Sequence, residues 1–334
     1  MTESVEVLDP GYDAEPADWS GLCRTAARHA SWDFGLLGVE SRYSRHPTRV
    51  AVVRRDGIVT GALVSTLIRS RGGPSLVEVH NPWLSGFPGW AFADRLEPVE
   101  RRAVLRACER ALCRAAGAGC TGLLYRSVPA DSLSLVRGRG RIVRPATGTA
   151  ILDNTFTSGA DWIASLPRSR RHSIRGQVRK VEADSELVVR FETARDDLDG
   201  AELAELVNRH RHRLGRPKFD SRSPVTAEYL HALVRRKDVR TLTYHNGDGK
   251  LLAFADLLDH PDVPLYQHWA ALLPEEGGRK HLYFDSYARL IGQIVADGRK
   301  SLAAGRGRLE LKASLGLGTR PLWAVGVPRP VAGR

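Results

Sequence analysis

The chain has few cysteines and no long apolar run, and each shortage removes a class of protein. Its four cysteines, Cys23, Cys108, Cys113 and Cys120, form neither a C-x-x-C pair nor a zinc-ligand spacing. That argues against a disulfide scaffold and a zinc module. Cys108, Cys113 and Cys120 lie in or beside an Ala-rich helical stretch and are expected to be small buried hydrophobes. No segment approaches the ~20 apolar residues of a membrane helix. The N-terminus, MTESVEVLDPGYDAEPADW, is acidic and lacks the apolar core of a signal peptide. A soluble, reduced, cytoplasmic protein is expected. Acidic residues are scarce relative to basic ones: 50 Lys and Arg face 38 Asp and Glu, a net charge of +12. Such an excess favours an anionic partner (nucleic acid, a membrane surface or a phosphorylated substrate) without choosing among them.

Nucleotide motifs are missing as well. The stretch GRGRLELKASLGLG, Gly305 to Gly318, crowds glycines around one lysine. A P-loop needs Gly before that lysine and Ser or Thr after it, but Leu311 and Ala313 flank Lys312. Gly305 and Gly307 supply only two of the three glycines of a dinucleotide fingerprint, and RGRGR at Arg137–Arg141 is a lone pair. By itself the segment reads as a Gly-rich turn. No Ser-His-Asp or Cys-His arrangement is evident, so no covalent intermediate is expected. No carboxylate or His/Cys cluster points to a metal; His210 and His212 are two apart on a helix and face different ways.

What is present is a repeat. RVAVVRRDGIVTGALVSTLI, Arg49 to Ile68, is two β-rich runs about Asp56-Gly57, a favoured hairpin turn. VRTLTYHNGDGKLLAFADLL, Val239 to Leu258, repeats the pattern about Asn246–Gly249. The first hairpin precedes a helix in VERRAVLRACERALCRAAGAG, with Val99, Ala103, Ala107, Ala111 and Ala115 on one stripe, and then a strand, GLLYR. The second precedes a strand LYQHWAALL, a helix with Leu282, Tyr287, Leu290, Ile291 and Ile294 on its apolar face, and the strand KSLAAG. The economical reading of 334 residues is two α+β domains of one topology, residues 1–155 and 156–334.

Between the hairpins lies SLPRSRRHSIRGQVRKVEAD. Arg168, Arg171, Arg175 and Arg179 make one basic helical stripe, and Ile174, Val178 and Val181 an apolar stripe beside it. Six Lys and Arg in thirteen residues, Arg168 to Lys180, is denser than solubility needs and suits contact with a phosphate backbone. A helix with Leu203, Leu206, Val207, His210 and Leu214 at helical spacing follows, then another expected to be capped by Ser223.

The tandem α+β repeat, the basic helix LPRSRRHSIRGQVRK opening the second half and the terminal GRGRLELKASLG together resemble the Fem-like group of the GNAT acyltransferase superfamily. The resemblance spans roughly residues 15–330 and is best from Trp162 to Val327. It implies tandem GNAT-like domains, each a mixed, mainly antiparallel sheet flanked by helices. It implies an aminoacyltransferase that moves an amino acid from aminoacyl-tRNA to an amine of a small acceptor, a natural product or wall precursor, with tRNA as partner. The family's basic helix places nucleic-acid contacts on Arg168, Arg171, Arg175 and Arg179. Its C-terminal lysine, which lines the acyl-transfer channel, falls on Lys312. The turn opening the phosphate-facing helix of a GNAT fold matches Gly277, Gly278, Arg279 and Lys280, where many relatives carry a Ser-Pro-Gly-like turn. The coiled-coil arm of the cell-wall enzymes is absent or reduced to a short helix.

Amide formation from an activated ester or thioester needs an oriented neutral amine, a donor to the developing oxyanion and a proton acceptor. Lys312 is the candidate donor, or alternatively the residue that holds a 3′-terminal phosphate. Asp256, an acid within the apolar strand LLAFADLL, is the candidate base, with Glu310 and His268 behind it. Two further readings use the same features: an acyl-CoA-dependent N-acyltransferase, and a non-catalytic GNAT pair that binds nucleic acid. The first half, with the acidic FADRLEPVE before its helix, is expected to have lost donor binding.

Overall fold

The computed structural model describes residues 3–25, 30–69, 73–81, 86–215 and 224–334. They fall into two compact units, Met1–Thr149 with Arg320–Arg334, and Ala150–Thr319. The C-terminal fifteen residues thus belong to the first unit, whereas the sequence suggests a second domain running to Arg334.

The first unit contains β1 (Glu3–Leu8), α1 (Trp19–Thr25), α2 (Phe34–Tyr43), β2 (Thr48–Arg55), β3 (Ile58–Arg69), β4 (Ser75–Val79), β5 (Trp90–Phe92), α3 (Pro98–Ala115), β6 (Cys120–Pro129) and α4 (Leu133–Val136). The strand β7 (Ile142–Asp153) leads out of it. The second unit contains α5 (Gly159–Ser165), α6 (Arg168–Glu182), β8 (Val188–Thr193), α7 (Gly200–Arg213), α8 (Ala227–Val234), β9 (Val239–His245), β10 (Leu251–Leu258), β11 (Leu265–Ala271), α9 (Leu282–Ala296), β12 (Ser301–Ala303) and α10 (Leu309–Ala313). The last strand, β13 (Gly318–Pro328), pairs with β6 of the first unit.

Strands of the first unit run in the order β1-β2-β3-β4-β6-β13, and those of the second in the order β8-β9-β10-β11-β12-β7. Both are α+β sheets, antiparallel except for one parallel step, β4 with β6 and β11 with β12. The hairpins take the same place in both. Asp56 (φ 49°) and Gly57 (φ 83°) are both left-handed, the backbone a two-residue hairpin turn demands.

Each parallel step is spanned by one helix. On α9 the sequence stripe holds: Leu282, Tyr287, Leu290, Ile291 and Ile294 are all buried in the second core, each contributing about 1.5–3 kcal/mol. On α3 the stripe holds only in part: Ala107 and Ala111 are buried. Val99 is 71% exposed and Ala103 faces solvent, while Val104, Leu105, Cys108 and Leu112 fill the core. Glu109 is fully buried on the same face. Arg141 donates to both its oxygens at 2.8 and 2.7 Å, Tyr125 Oη at 2.7 Å, Arg106 at 2.9 Å and the Gly333 amide at 2.7 Å.

Cys108, Cys113 and Cys120 are buried as expected, and burial pushes the Cys113 thiol up to about 12. On α7, Leu203, Leu206 and Val207 are buried, but Leu214 is 54% exposed. Ser223 lies outside the described residues; Thr226 caps α8, accepting from the Tyr229 amide. Among the described residues no helix is long and apolar enough to cross a membrane.

Candidate active site

The two parallel steps differ. In the first unit β4 and β6 stay paired over Ser75↔Cys120, Val77↔Leu123, Glu78↔Leu124 and Val79↔Tyr125. In the second, β11 and β12 pair only at Leu265↔Ala303. Beyond that pair the strands are free of one another, and the carboxyl ends of two parallel strands frame a gap, the position where open sheets place ligands.

Lys312 stands on the β12 side of this gap. The sequence points to a turn between strands; instead residues 309–313 form the short helix α10, and the lysine is only 6% exposed. Its ammonium donates to the carbonyls of Ala304 and, at 3.5 Å, Gly305, and it forms no ion pair among the described residues. Burial without a counter-charge lowers its pKa to about 8. A cation held in this way is available to a developing negative charge. Glu310 lies on the same helix but is exposed, and no structural feature singles it out. The loop before α10 closes on Arg308, left-handed at φ 51°. Arg308 acts electrostatically on Tyr283 at the start of α9 and on His210 near the end of α7. Burial, then Arg213 and Arg308, push the His210 pKa down to about 4.

Asp256 stands in β10, facing the β11 side. It is fully buried, but it does not present a free carboxylate. A β-bulge sets Asp256 against two residues, Gln267 and His268, between the pairs Ala255↔Trp269 and Leu257↔Tyr266. Its Oδ1 accepts the His268 backbone N–H at 2.7 Å, and its Oδ2 lies 2.8 Å from His268 Nδ1. Both oxygens are therefore committed to one histidine. The candidate base of the sequence is thus hydrogen-bonded to His268, a residue the sequence ranks below it. Spacing could not reveal the pair, since twelve residues and a bulge separate its members.

The turn before α9 has the features of an anion cradle. Gly277 is left-handed at φ 87°, and a Cβ on Gly278 would lie 2.2 Å from the Leu272 carbonyl. His281, the N-cap, is left-handed at φ 77° and has no side-chain capping bond. The backbone amides of residues 279–283 find no acceptor among the described residues. Free amides at the start of a fifteen-residue helix attract negative charge. Lys180, Arg279, Lys280 and His281 line a cleft of about 140 Å³ there. Arg279 is not a free cation, since it pairs with Asp184 at 3.2 Å and Glu186 at 2.8 Å. Lys280 and Lys180 are exposed. The matching helix of the first unit, α3, is closed instead: Glu100 accepts the Glu97 amide at 3.0 Å, which places a carboxylate where an anion would bind.

Helix α6 packs on α9 and ends at this cleft. Ile174 and Val181 are buried beneath it, and Arg168, Arg175 and Arg179 are exposed. Arg171 departs from the stripe. Its guanidinium donates to the Leu166 carbonyl at 3.2 Å, and its Nε is buried, so it serves the end of α5. Arg170 lies over the Phe284 ring at 5.3 Å.

The Acetyltransferase (GNAT) domain family matches residues 168–313. No curated protein matches the sequence. Among solved structures, L-PGS from Bacillus licheniformis is similar at 12% identity and a TM-score of 0.59, over 96% of this chain and 95% of that one. FemX is similar at 12% identity and 0.58, over 96% of each. A tandem GNAT protein from the clavulanic acid biosynthesis pathway is similar at 14% and 0.52, over 98% of each. Residues 168–313 thus match the Acetyltransferase (GNAT) domain family, and the whole chain shares its fold with FemX and with the tandem GNAT protein.

Proposed function

We propose that this acyltransferase moves an aminoacyl group from aminoacyl-tRNA to an amine of a small acceptor, with the second unit as its catalytic half. The observation that carries the reading is the continuity of α6 with the anion cradle. Exposed Arg168, Arg175 and Arg179 follow one helix face, and Lys180, on that helix's last turn, lines the cleft at the α9 N-terminus. One such path suits a polyanion that ends at the acyl group, with its terminal phosphate in the cradle and its ester carbonyl at Lys312. The net charge of +12 fits the same partner.

An acyl-CoA donor is the second reading. It is favoured by the match to an acetyltransferase domain and needs only the cradle. The two separate when the protein is incubated with crude charged tRNA or with acyl-CoAs plus a mixture of amines. Product that ribonuclease abolishes establishes the tRNA donor; product from acyl-CoA alone establishes the other.

Charge reversal at Arg175 and Arg179 is expected to weaken tRNA binding without unfolding the protein. The slope of log affinity against log salt should flatten by about 0.7–0.9 for each phosphate the protein no longer neutralises. An unchanged slope in a filter-binding titration would return this face to a merely solvated one.

A further inference from the structure

The bulge in β11 leaves two hydrogen-bond acceptors without partners, side by side in sequence. Gln267 donates through Nε2 to Tyr229 Oη at 2.9 Å, while its buried Oε1 has no partner. The His268 ring is edge-on to the same Tyr229 ring at 6.2 Å and stacked on Phe254 at 6.5 Å. Because both side chains meet Tyr229 of α8, the bulge sends two consecutive residues to one face of the sheet, where a regular strand would separate them. Asp256 takes the Nδ1–H of His268, which fixes the tautomer with its lone pair on Nε2. That Nε2 has no protein partner among the described residues. His268 is 6% exposed and Asp256 fully buried. An uncharged acceptor amide and a basic imidazole nitrogen, held beside the open end of the β11–β12 gap, suit a group that donates two N–H bonds.

We propose that Gln267 and His268 form the subsite for the acceptor's primary amine, with Nε2 of His268 receiving the proton the amine must lose. The inference rests on the acyl-transfer reading above. The amine nitrogen forms its bond to the acyl carbon, and one N–H proton passes to His268 Nε2. As the tetrahedral intermediate collapses, the bond from carbon to the donor's oxygen (or sulfur) breaks. The imidazolium returns its proton to that leaving group, so the histidine ends as it began. Gln267 Oε1 accepts the second N–H and fixes the direction of attack. Asp256 is a positioning residue, and it leaves the proton on Nδ1.

The test has a binding arm and a transfer arm. In the first, wild-type protein is treated with diethyl pyrocarbonate and the modified histidines are mapped by mass spectrometry. His268 is expected to react, and butylamine, but not butanol, is expected to slow it relative to the exposed His172, His212 and His231 of the same sample, which correct for reagent that the amine itself consumes. Absence of reaction while the exposed His172, His212 and His231 react, or the lack of selective protection, overturns the subsite. In the second, charged tRNA or acetyl-CoA is the donor, butylamine is the acceptor, and kcat and KM are measured for each. His268→Gln is expected to lower kcat by about 10²–10⁴-fold with the KM for the donor little changed. Gln267→Leu is expected to weaken use of butylamine about tenfold, read in its KM. A loss in His268→Gln that falls on the KM for the donor means a structural role and overturns the proposal, as does full activity of His268→Gln. Failure of the wild type to use either donor sinks the acyl-transfer reading instead, and the pyrocarbonate arm still decides the subsite.

Discussion

Replacing Lys312 by Ala is expected to lower turnover by on the order of 10²–10³-fold while leaving donor binding nearly unchanged. The ammonium is buried and, among the described residues, bound only by carbonyl dipoles, at the β12 side of the gap. Carbonyl oxygens solvate the cation without neutralising it, so its full charge is available when the acyl oxygen becomes negative. Pre-steady-state kinetics separate the outcomes: a rise confined to KM would make Lys312 a binding residue. The pH dependence gives an independent check. Burial lowers the folded pKa to about 8, so a donor ammonium is lost, and the rate falls, as pH rises through that value. A rate that increased there would mean that the neutral amine is the working form. The same shift affects stability in a defined direction. Between about 8 and the ordinary lysine value the unfolded chain binds more protons, so this residue makes the protein more stable as pH rises across that window.

The second large effect is structural and belongs to the first unit. Glu109→Gln is expected to destabilise that unit by about 3–5 kcal/mol, since it leaves the buried Arg141 and Arg106 charges without their anion. Arg141 has a side-chain exposure of 1% against 0% for Glu109, so water cannot substitute. Urea denaturation measures the loss. A change below about 1 kcal/mol would show that the network is dispensable, whereas the double variant Glu109→Leu with Arg141→Met is expected to recover much of the loss. Burial pushes the Glu109 carboxyl up, but the Arg141 hydrogen bonds and the charges of Arg106 and Arg141 outweigh it and hold the group below the usual carboxylate range. Its contribution is therefore complete above the ordinary carboxylate value and is lost as pH falls through the lower folded one.

Sequence alone determined what depends on local pattern. The two hairpins are legible because Asp56-Gly57 and Asn246–Gly249 are turn chemistry flanked by β-branched runs. The apolar face of α9 and the buried Ile174 and Val181 of α6 are legible because helical period and hydrophobicity coincide there. The tandem order of the elements follows from them. The glycine pair at Gly277-Gly278 marks a special turn for the same local reason.

Tertiary structure decided whatever depends on partners distant in the chain. On α3 spacing does not show that Glu109 is buried, since the partners that hold it there lie at Arg141 and Gly333. Arg171 falls on a phosphate-binding stripe by spacing, yet it turns to the Leu166 carbonyl, and Arg279 to Asp184 and Glu186. A basic side chain shows its charge in the sequence but not whether that charge is already paired. Lys312 is visible as a lysine among glycines; that it is buried and shifted follows only from its packing against Ala304 and Gly305. The surroundings of Asp256 are hidden in the sequence for the same reason. A bulge of one residue, set by the pairing of β10 with β11, turns an isolated acid into the anchor of His268 and leaves Gln267 and His268 facing one tyrosine.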